Sequence, residues 1–125
     1  MKRPGRLVVA SAALALFGNV ILPTTDRRFW GEITDSLCAQ SGSHETTANG
    51  IKTSRECTIG CVKGGARYVL YNAHRRVAFQ LDNQRKPREF AGEKVMVIGT
   101  YDSKTNTIHV KDIQSVYKDT IKTGN

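Results

Sequence analysis

The chain has little that would support several domains or a familiar catalytic centre. Its 125 residues leave room for one hydrophobic core, because single domains typically need roughly 100 to 150 residues. It contains no internal repeat, no low-complexity tract, no glycine-rich phosphate loop, no His-Glu-x-x-His pair and no paired-carboxylate motif. These absences favour a single non-enzymatic domain.

The sequence also has no apolar run of about 20 residues, although its N-terminus contains a shorter apolar segment preceded by positive charges. Three basic residues precede an apolar run over 7–17, and a second apolar patch over 20–22 ends at Pro23. This order is typical of a secretory signal. No small-residue cleavage site follows it, so an uncleaved anchor stays open, although 7–22 is shorter than the roughly 20 residues that span a bilayer. We expect residues 1–25 to be a signal peptide or signal anchor of an exported protein, periplasmic, extracellular or held at the inner membrane.

Acidic residues are fewer than basic ones. The formal net charge is +8, and Lys2, Arg3 and Arg6 of the leader contribute three of these charges. The basic residues of the body, 26–125, are spread along it rather than gathered into one run. They are interpreted as solvated surface, with attraction to an anionic membrane or a polyanion as the alternative.

The body alternates polar and apolar residues with the period of two that indicates β-strands. A first strand is predicted over 28–37, and one of its two faces is expected to be buried. Phe29, Gly31 and Ile33 lie on one face, and Trp30, Glu32 and Thr34 lie on the other. Segments 67–71 and 76–81 alternate in the same way and are joined by four residues. They predict a β-hairpin.

The last two strands contain irregularities. A dense apolar strand is predicted over 94–101, where Gly99 indicates a bulge or a bend. The final strand is predicted to begin at Thr107, with a second bulge near Ile113. Five strands in about 90 residues predict a small closed or nearly closed barrel, because closure removes exposed strand edges. A two-sheet sandwich is the alternative.

The segment between the first and second strands divides into a polar loop and a short helix. Residues 38–51 are polar and are interpreted as a loop that needs anchoring. Thr53 and Glu56 have the spacing of a capping box, in which each side chain satisfies a free backbone N–H at the start of a helix. The predicted helix ends near Lys63, before Gly64-Gly65.

Several segments of the body resemble those of a known family. They are Gly-x-Ile-x-Asp-x-x-Cys over 31–38, His44, Cys-x3-Cys-Val-Lys-x-Gly over 57–65, and segments 66–70, 91–100 and 108–110. Together they are similar to a family of small, exported, functionally uncharacterised bacterial proteins of the acidobacterial type. The resemblance implies an OB-like barrel and export from the cytoplasm, and it implies no activity.

Cys38, His44, Cys57 and Cys61 form the one group in the sequence with the character of metal ligands. Cys57 and Cys61 lie four residues apart, which places them on one face of the predicted helix. The preceding loop could add a third sulfur and an imidazole, completing a tetrahedral shell. Zn²⁺ or Cu⁺ suits such soft ligands.

A disulfide with one leftover thiol is the alternative use of the same cysteines, and three buried reduced thiols are a further alternative. In an oxidising compartment, three cysteines are often one disulfide and one thiol. Cys57 and Cys61 are poorly aimed at each other within a regular helix, so Cys38 would pair with one of them. The domain would then be a disulfide-stapled envelope scaffold, or an interaction module for a protein or glycan.

Catalysis and nucleic-acid binding are the less favoured functions. No third residue with recognisable spacing orients a Cys–His pair, so we expect no enzyme. Trp30, Tyr68, Tyr71 and Tyr101 could stack bases in an OB-type groove, but they are interpreted as packing residues, and export makes nucleic acid an unlikely partner. We expect membrane contact only through an uncleaved leader.

Overall fold

The computed structural model describes residues 24–41 and 53–117, together with Pro4, Gly5, Ala13 and Gly18. Most of the predicted leader and the C-terminal segment 118–125 therefore lie outside the described residues. In the part of the chain that is described, no helix is long and apolar enough to cross a membrane.

The described body is mainly β. Five strands, three short helical segments and their turns follow one another in this order: β1 (Arg27–Asp35), α1 (Ser36–Ser41), α2 (Ser54–Lys63), β2 (Tyr68–Asn72), β3 (Val77–Leu81), a 3₁₀ helix (Lys86–Phe90), β4 (Lys94–Asp102) and β5 (Thr107–Ser115).

The strands form one sheet that closes into a ring in the order β1-β2-β3-β5-β4. The β3–β5 pair is parallel, with Leu81 opposite Ile108, and the other neighbouring strands are antiparallel. The mainly β class and the five strands are therefore confirmed. The sheet is continuous, unlike the two-sheet sandwich considered as the alternative.

The core fills the inside of this ring because alternate residues of each strand point inward. Phe29 and Ile33, which share one face of β1, are buried, so the structure identifies this face as the inner one. The residues of the core cluster are Phe29, Ile33, Tyr68, Leu70, Phe79, Leu81, Ala91, Val95, Val97, Ile108 and Ile113.

The last two strands contain one irregularity, where two separate bulges were expected. The register between β4 and β5 shifts between Ile98 and Gly99: Ile98 lies opposite Asp112, whereas Gly99 lies opposite Val110. Lys111 is therefore the extra residue on β5, and this insertion restores Ile113 to the buried face. The bulge near Gly99 is confirmed, and the expectation of a separate second bulge is wrong.

The expectation of one short helix between the first two strands is also wrong, because α1 and α2 both lie there. The capping box is present: Glu56 N donates to Thr53 Oγ1 at 3.2 Å, and Thr53 N donates to Glu56 Oε2 at 3.0 Å. The helix α2 ends at Lys63, as predicted. The additional helix α1 replaces the end of the predicted first strand and the start of the predicted loop.

Candidate metal centre

The carboxylate of Asp35 places Cys38 at the start of α1. Asp35 is the last residue of β1, and its Oδ1 accepts hydrogen bonds from Leu37 N at 3.0 Å and Cys38 N at 2.9 Å. These bonds satisfy backbone donors that the first turn of a helix leaves free. The chain therefore turns directly from strand into helix, and Cys38 lies in that first turn.

A close contact with the segment between the 3₁₀ helix and β4 positions α2 and its two cysteines. Arg55 Nη1 donates to the Glu89 carbonyl oxygen at 3.0 Å. Gly92 has a φ of +75°, and a Cβ on it would lie 2.5 Å from Arg55 N. Only glycine allows this approach. Cys57 and Cys61, one turn apart on the docked helix, thus face the end of β1.

The structure brings the three cysteines together. Their Sγ atoms all lie within 4.8 Å of one another, and no other metal-ligand cluster of three or more His, Cys, Asp or Glu residues occurs in the described part of the chain. Cys38 Sγ and Cys57 Sγ are 3.8 Å apart. The three cysteines form no disulfide with one another, and each is half-buried.

These distances fit a tetrahedral metal ion. Two sulfurs, each about 2.3 Å from zinc at a tetrahedral angle, are about 3.8 Å apart, which is the Cys38–Cys57 separation of 3.8 Å. Cys61 needs only a small inward movement to complete the same arrangement. The three thiols therefore supply three of the four ligands that such a site requires.

The surroundings of the cluster disfavour negative charge in the metal-free protein. Burial raises the pKa of the Cys38 thiol well above its ordinary value, and Asp35 and Cys57 raise it further. Burial likewise raises the pKa of Cys61, with additional contributions from Asp35 and Cys57. Both thiols are consequently protonated at neutral pH unless a cation replaces their protons.

Asp35 is the residue of this site that the sequence analysis missed. It is fully buried, and its Oδ2 has no hydrogen-bond partner among the described residues. A buried carboxylate oxygen without a partner is costly. The signal that could have revealed it is an aspartate directly after a strand pattern, where it favours the start of a helix rather than a loop.

His44, the fourth predicted ligand, lies outside the described residues, between Ser41 and Thr53. The structure therefore brings together Cys38, Cys57 and Cys61 from the predicted set and provides no test of His44. Asp35 adds a carboxylate that acts electrostatically on both Cys38 and Cys61.

A cavity of about 380 Å³ reaches the cluster at Cys38. It lies between β1, the β2–β3 turn and the end of β5. Its lining includes Trp30, Tyr71, His74, Lys94, Val95 and Val116. The cavity gives a small ligand or a metal ion a route to the Cys38 side of the cluster.

Comparisons with known proteins add no relative. No protein-family model matches the chain, and searches of curated proteins and of solved structures find no significant match.

Proposed function

We propose that this protein is an exported, non-enzymatic OB-like domain that binds one soft metal ion through Cys38, Cys57 and Cys61. The observation that carries the proposal is the convergence of three Sγ atoms within 4.8 Å from two helices. Three thiols from separate segments are a recurring basis for Zn²⁺ sites, and thiolates also select Cu⁺.

The buried Asp35 favours Zn²⁺ over Cu⁺. When a metal ion binds, the three thiols lose their protons and become three negatively charged thiolates. The site then has a net charge of −1 with Zn²⁺ and −2 with Cu⁺. Both products lie beside a fully buried carboxylate, so the product with less negative charge is repelled less. Because the protons must leave, the affinity for either ion falls as the pH falls.

The same electrostatics support binding rather than thiol catalysis. A catalytic cysteine needs a lowered pKa, because the thiolate is the nucleophile. Here burial raises the pKa of both Cys38 and Cys61. The role proposed for the protein is therefore to bind or sense the metal ion, or to provide protection in the cell envelope.

The strand order and the leader support the remaining parts of the proposal. A five-stranded ring in the order β1-β2-β3-β5-β4 with a parallel β3–β5 pair agrees with an OB-like barrel. The basic and apolar segment over 1–25 supports export.

Native mass spectrometry of the full chain, purified from a periplasmic expression, tests the proposal. We expect one Zn²⁺ or Cu⁺ per chain, and we expect Cys38→Ser, Cys57→Ser and Cys61→Ser each to lose it. Gly60→Ala is the matched control, because Gly60 lies between the two α2 cysteines with nothing within 4 Å of an added Cβ. This variant should retain the ion.

A disulfide between Cys38 and Cys57 is the second candidate, favoured by their 3.8 Å separation. Bond formation would bring the sulfurs to about 2.05 Å. The same spectrum would then show no metal and a mass lower by about 2 Da, from loss of two hydrogens. That result would refute the metal site and leave a stapled scaffold or interaction module.

A further inference from the structure

A second cavity lies at the end of the ring where β1 begins. It shares Trp30 with the first cavity, but no cysteine lines it. Its volume is about 520 Å³, within the range of cavities that take small molecules or short stretches of polymer. We call it the arginine cavity. Its main lining residues are Arg27, Arg28, Arg75, Trp30, Phe79 and Tyr101.

The arginine cavity carries uncompensated positive charge. No Asp or Glu is present among its described lining residues. Arg28 and Arg75 are exposed, and neither side chain has an ion-pair partner in the described ranges 24–41 and 53–117. Elsewhere, in contrast, Lys111 pairs with Asp26. The cavity therefore attracts anions more strongly than a mixed protein surface does.

Arg27 is held in place by aromatic rings. Its guanidinium lies 5.3 Å from the centre of the Phe29 ring and 5.8 Å from that of Tyr101. Phe29 and Phe79 meet edge to face at 5.5 Å and are buried. The Phe29 and Tyr101 rings therefore form a floor beneath the Arg27 guanidinium. Arg27 therefore loses little conformational freedom when an anion binds.

Trp30 provides an exposed flat surface at the rim. Its side chain is 53% exposed, so its interpretation as a packing residue is wrong. The other aromatic residues of the cavity are buried or half-buried. A ligand that follows the cavity therefore meets one largely exposed ring, that of Trp30, beside two arginines that have no ion-pair partner among the described residues.

We propose that the arginine cavity binds an anionic polysaccharide, with acidic groups on Arg28 and Arg75 and a sugar ring against Trp30. Guanidinium groups pair with carboxylates in two-pronged hydrogen bonds, and the apolar face of a sugar ring packs on an indole. Single-stranded nucleic acid is disfavoured, because its binding grooves present aromatic platforms to successive bases. The choice of a polysaccharide also rests on the export contained in the proposed function, whereas the cavity itself does not depend on the metal.

Binding of the full chain to three probes tests this proposal: alginate as a polymer of uronic acids, neutral dextran, and single-stranded oligo(dT). We expect retention on alginate at low salt that weakens as salt is added, and no retention on dextran. Failure to bind alginate would overturn the proposal, as would equal binding to dextran. Stronger binding to oligo(dT) would reassign the cavity to nucleic acid.

Variants then locate the binding. Arg28→Gln combined with Arg75→Gln should weaken alginate binding by about tenfold or more. The matched control combines Arg85→Gln with Lys104→Gln, which removes the same charge from exposed residues outside the cavity. The control should bind as the unsubstituted protein does, and an equal loss in both would overturn the proposal.

Three further measurements test the role of Trp30 and separate this cavity from folding and from the metal site. Thermal unfolding of the arginine variant should match that of its control, so that weaker binding reports the cavity rather than the fold. Trp30→Ala should also weaken alginate binding, by about fivefold. Cys57→Ser should leave alginate binding unchanged, so a failure of the metal proposal and a failure of this one are distinguishable.

Discussion

The side chain of Asn72 joins the β2–β3 turn to strand β1. Asn72 Nδ2 donates to the Trp30 carbonyl oxygen at 3.0 Å, and Asn72 Oδ1 accepts from Arg75 N at 3.0 Å. One amide therefore fixes both the backbone beneath the exposed indole and the backbone that carries Arg75. Both residues line the arginine cavity.

Loss of this amide should destabilise the turn. We expect Asn72→Ala to lower the free energy of unfolding by about 1 kcal/mol, because both hydrogen bonds are lost at an exposed site. Asn72→Asp should cost less, since it keeps the acceptor for Arg75 N. Urea denaturation of both variants measures the difference, and an equal cost for the two would contradict the assignment of separate bonds.

Two glycine substitutions should act in opposite directions. A Cβ at Gly99 would lie 2.1 Å from the His109 carbonyl oxygen, next to the register shift. Gly99→Ala should therefore cost about 3 kcal/mol or more, or prevent folding. Gly60→Ala on α2 meets nothing within 4 Å and should stabilise the protein by about 0.5 to 1 kcal/mol. Thermal unfolding of the pair tests both signs.

The capping box should contribute measurably to stability. Thr53→Ala removes the side-chain acceptor for Glu56 N and should lower the free energy of unfolding by about 1 kcal/mol. Thr53→Ser retains the hydroxyl and should cost much less. Chemical denaturation of both variants provides the comparison, and equal losses would show that packing of the Thr53 methyl group, rather than the cap, is responsible.

Asp35 should govern the choice between metal ions. Asp35→Asn retains the Oδ1 acceptor that caps α1 but removes the buried negative charge. Because Cu⁺ leaves the site more negative than Zn²⁺ does, the affinity for Cu⁺ should rise relative to that for Zn²⁺ by about tenfold. Competition with chelators selective for each ion measures the ratio. An unchanged ratio would contradict the electrostatic role of Asp35.

Asp82 should contribute to stability at neutral pH and lose that contribution on strong acidification. Burial opposes its ionisation, but hydrogen bonds from Val110 N and from His109 hold the pKa of Asp82 below its ordinary value. A carboxylate with a lowered pKa stabilises the fold above its unfolded pKa of about 3.9, and this contribution is lost as the pH falls through the folded pKa.

The corresponding variant is Asp82→Asn, which keeps an oxygen acceptor for Val110 N. Its stability should fall less steeply on acidification below about pH 4 than that of the unsubstituted protein. Denaturant midpoints measured across this range report the slope. Glu89→Gln, at an exposed residue, serves as the control and should leave the slope unchanged.

Local patterns in the sequence were sufficient to predict much of the fold. The period of two identified the five strands and the hairpin, and the spacing of Thr53 and Glu56 identified the start of α2. These features depend on residues close together in the chain. The helix α1 was missed because its cap, Asp35, also fits the end of a strand, and the single register shift was interpreted as two bulges because Gly99 and Lys111 act together across two strands.

The sequence by itself determined which side chains could bind a metal and that Cys57 and Cys61 share a helical face, because these properties follow from residue chemistry and helical periodicity. Tertiary structure decided that Cys38 joins them, that Asp35 lies buried beside them, and that Trp30 and Arg75 face one cavity. The reason is physical: closure of the ring sets the end of β1 beneath α2 and the start of β1 beside the β2–β3 turn. In both cases the residues that meet are far apart in the sequence, so no local spacing pattern indicates the contact.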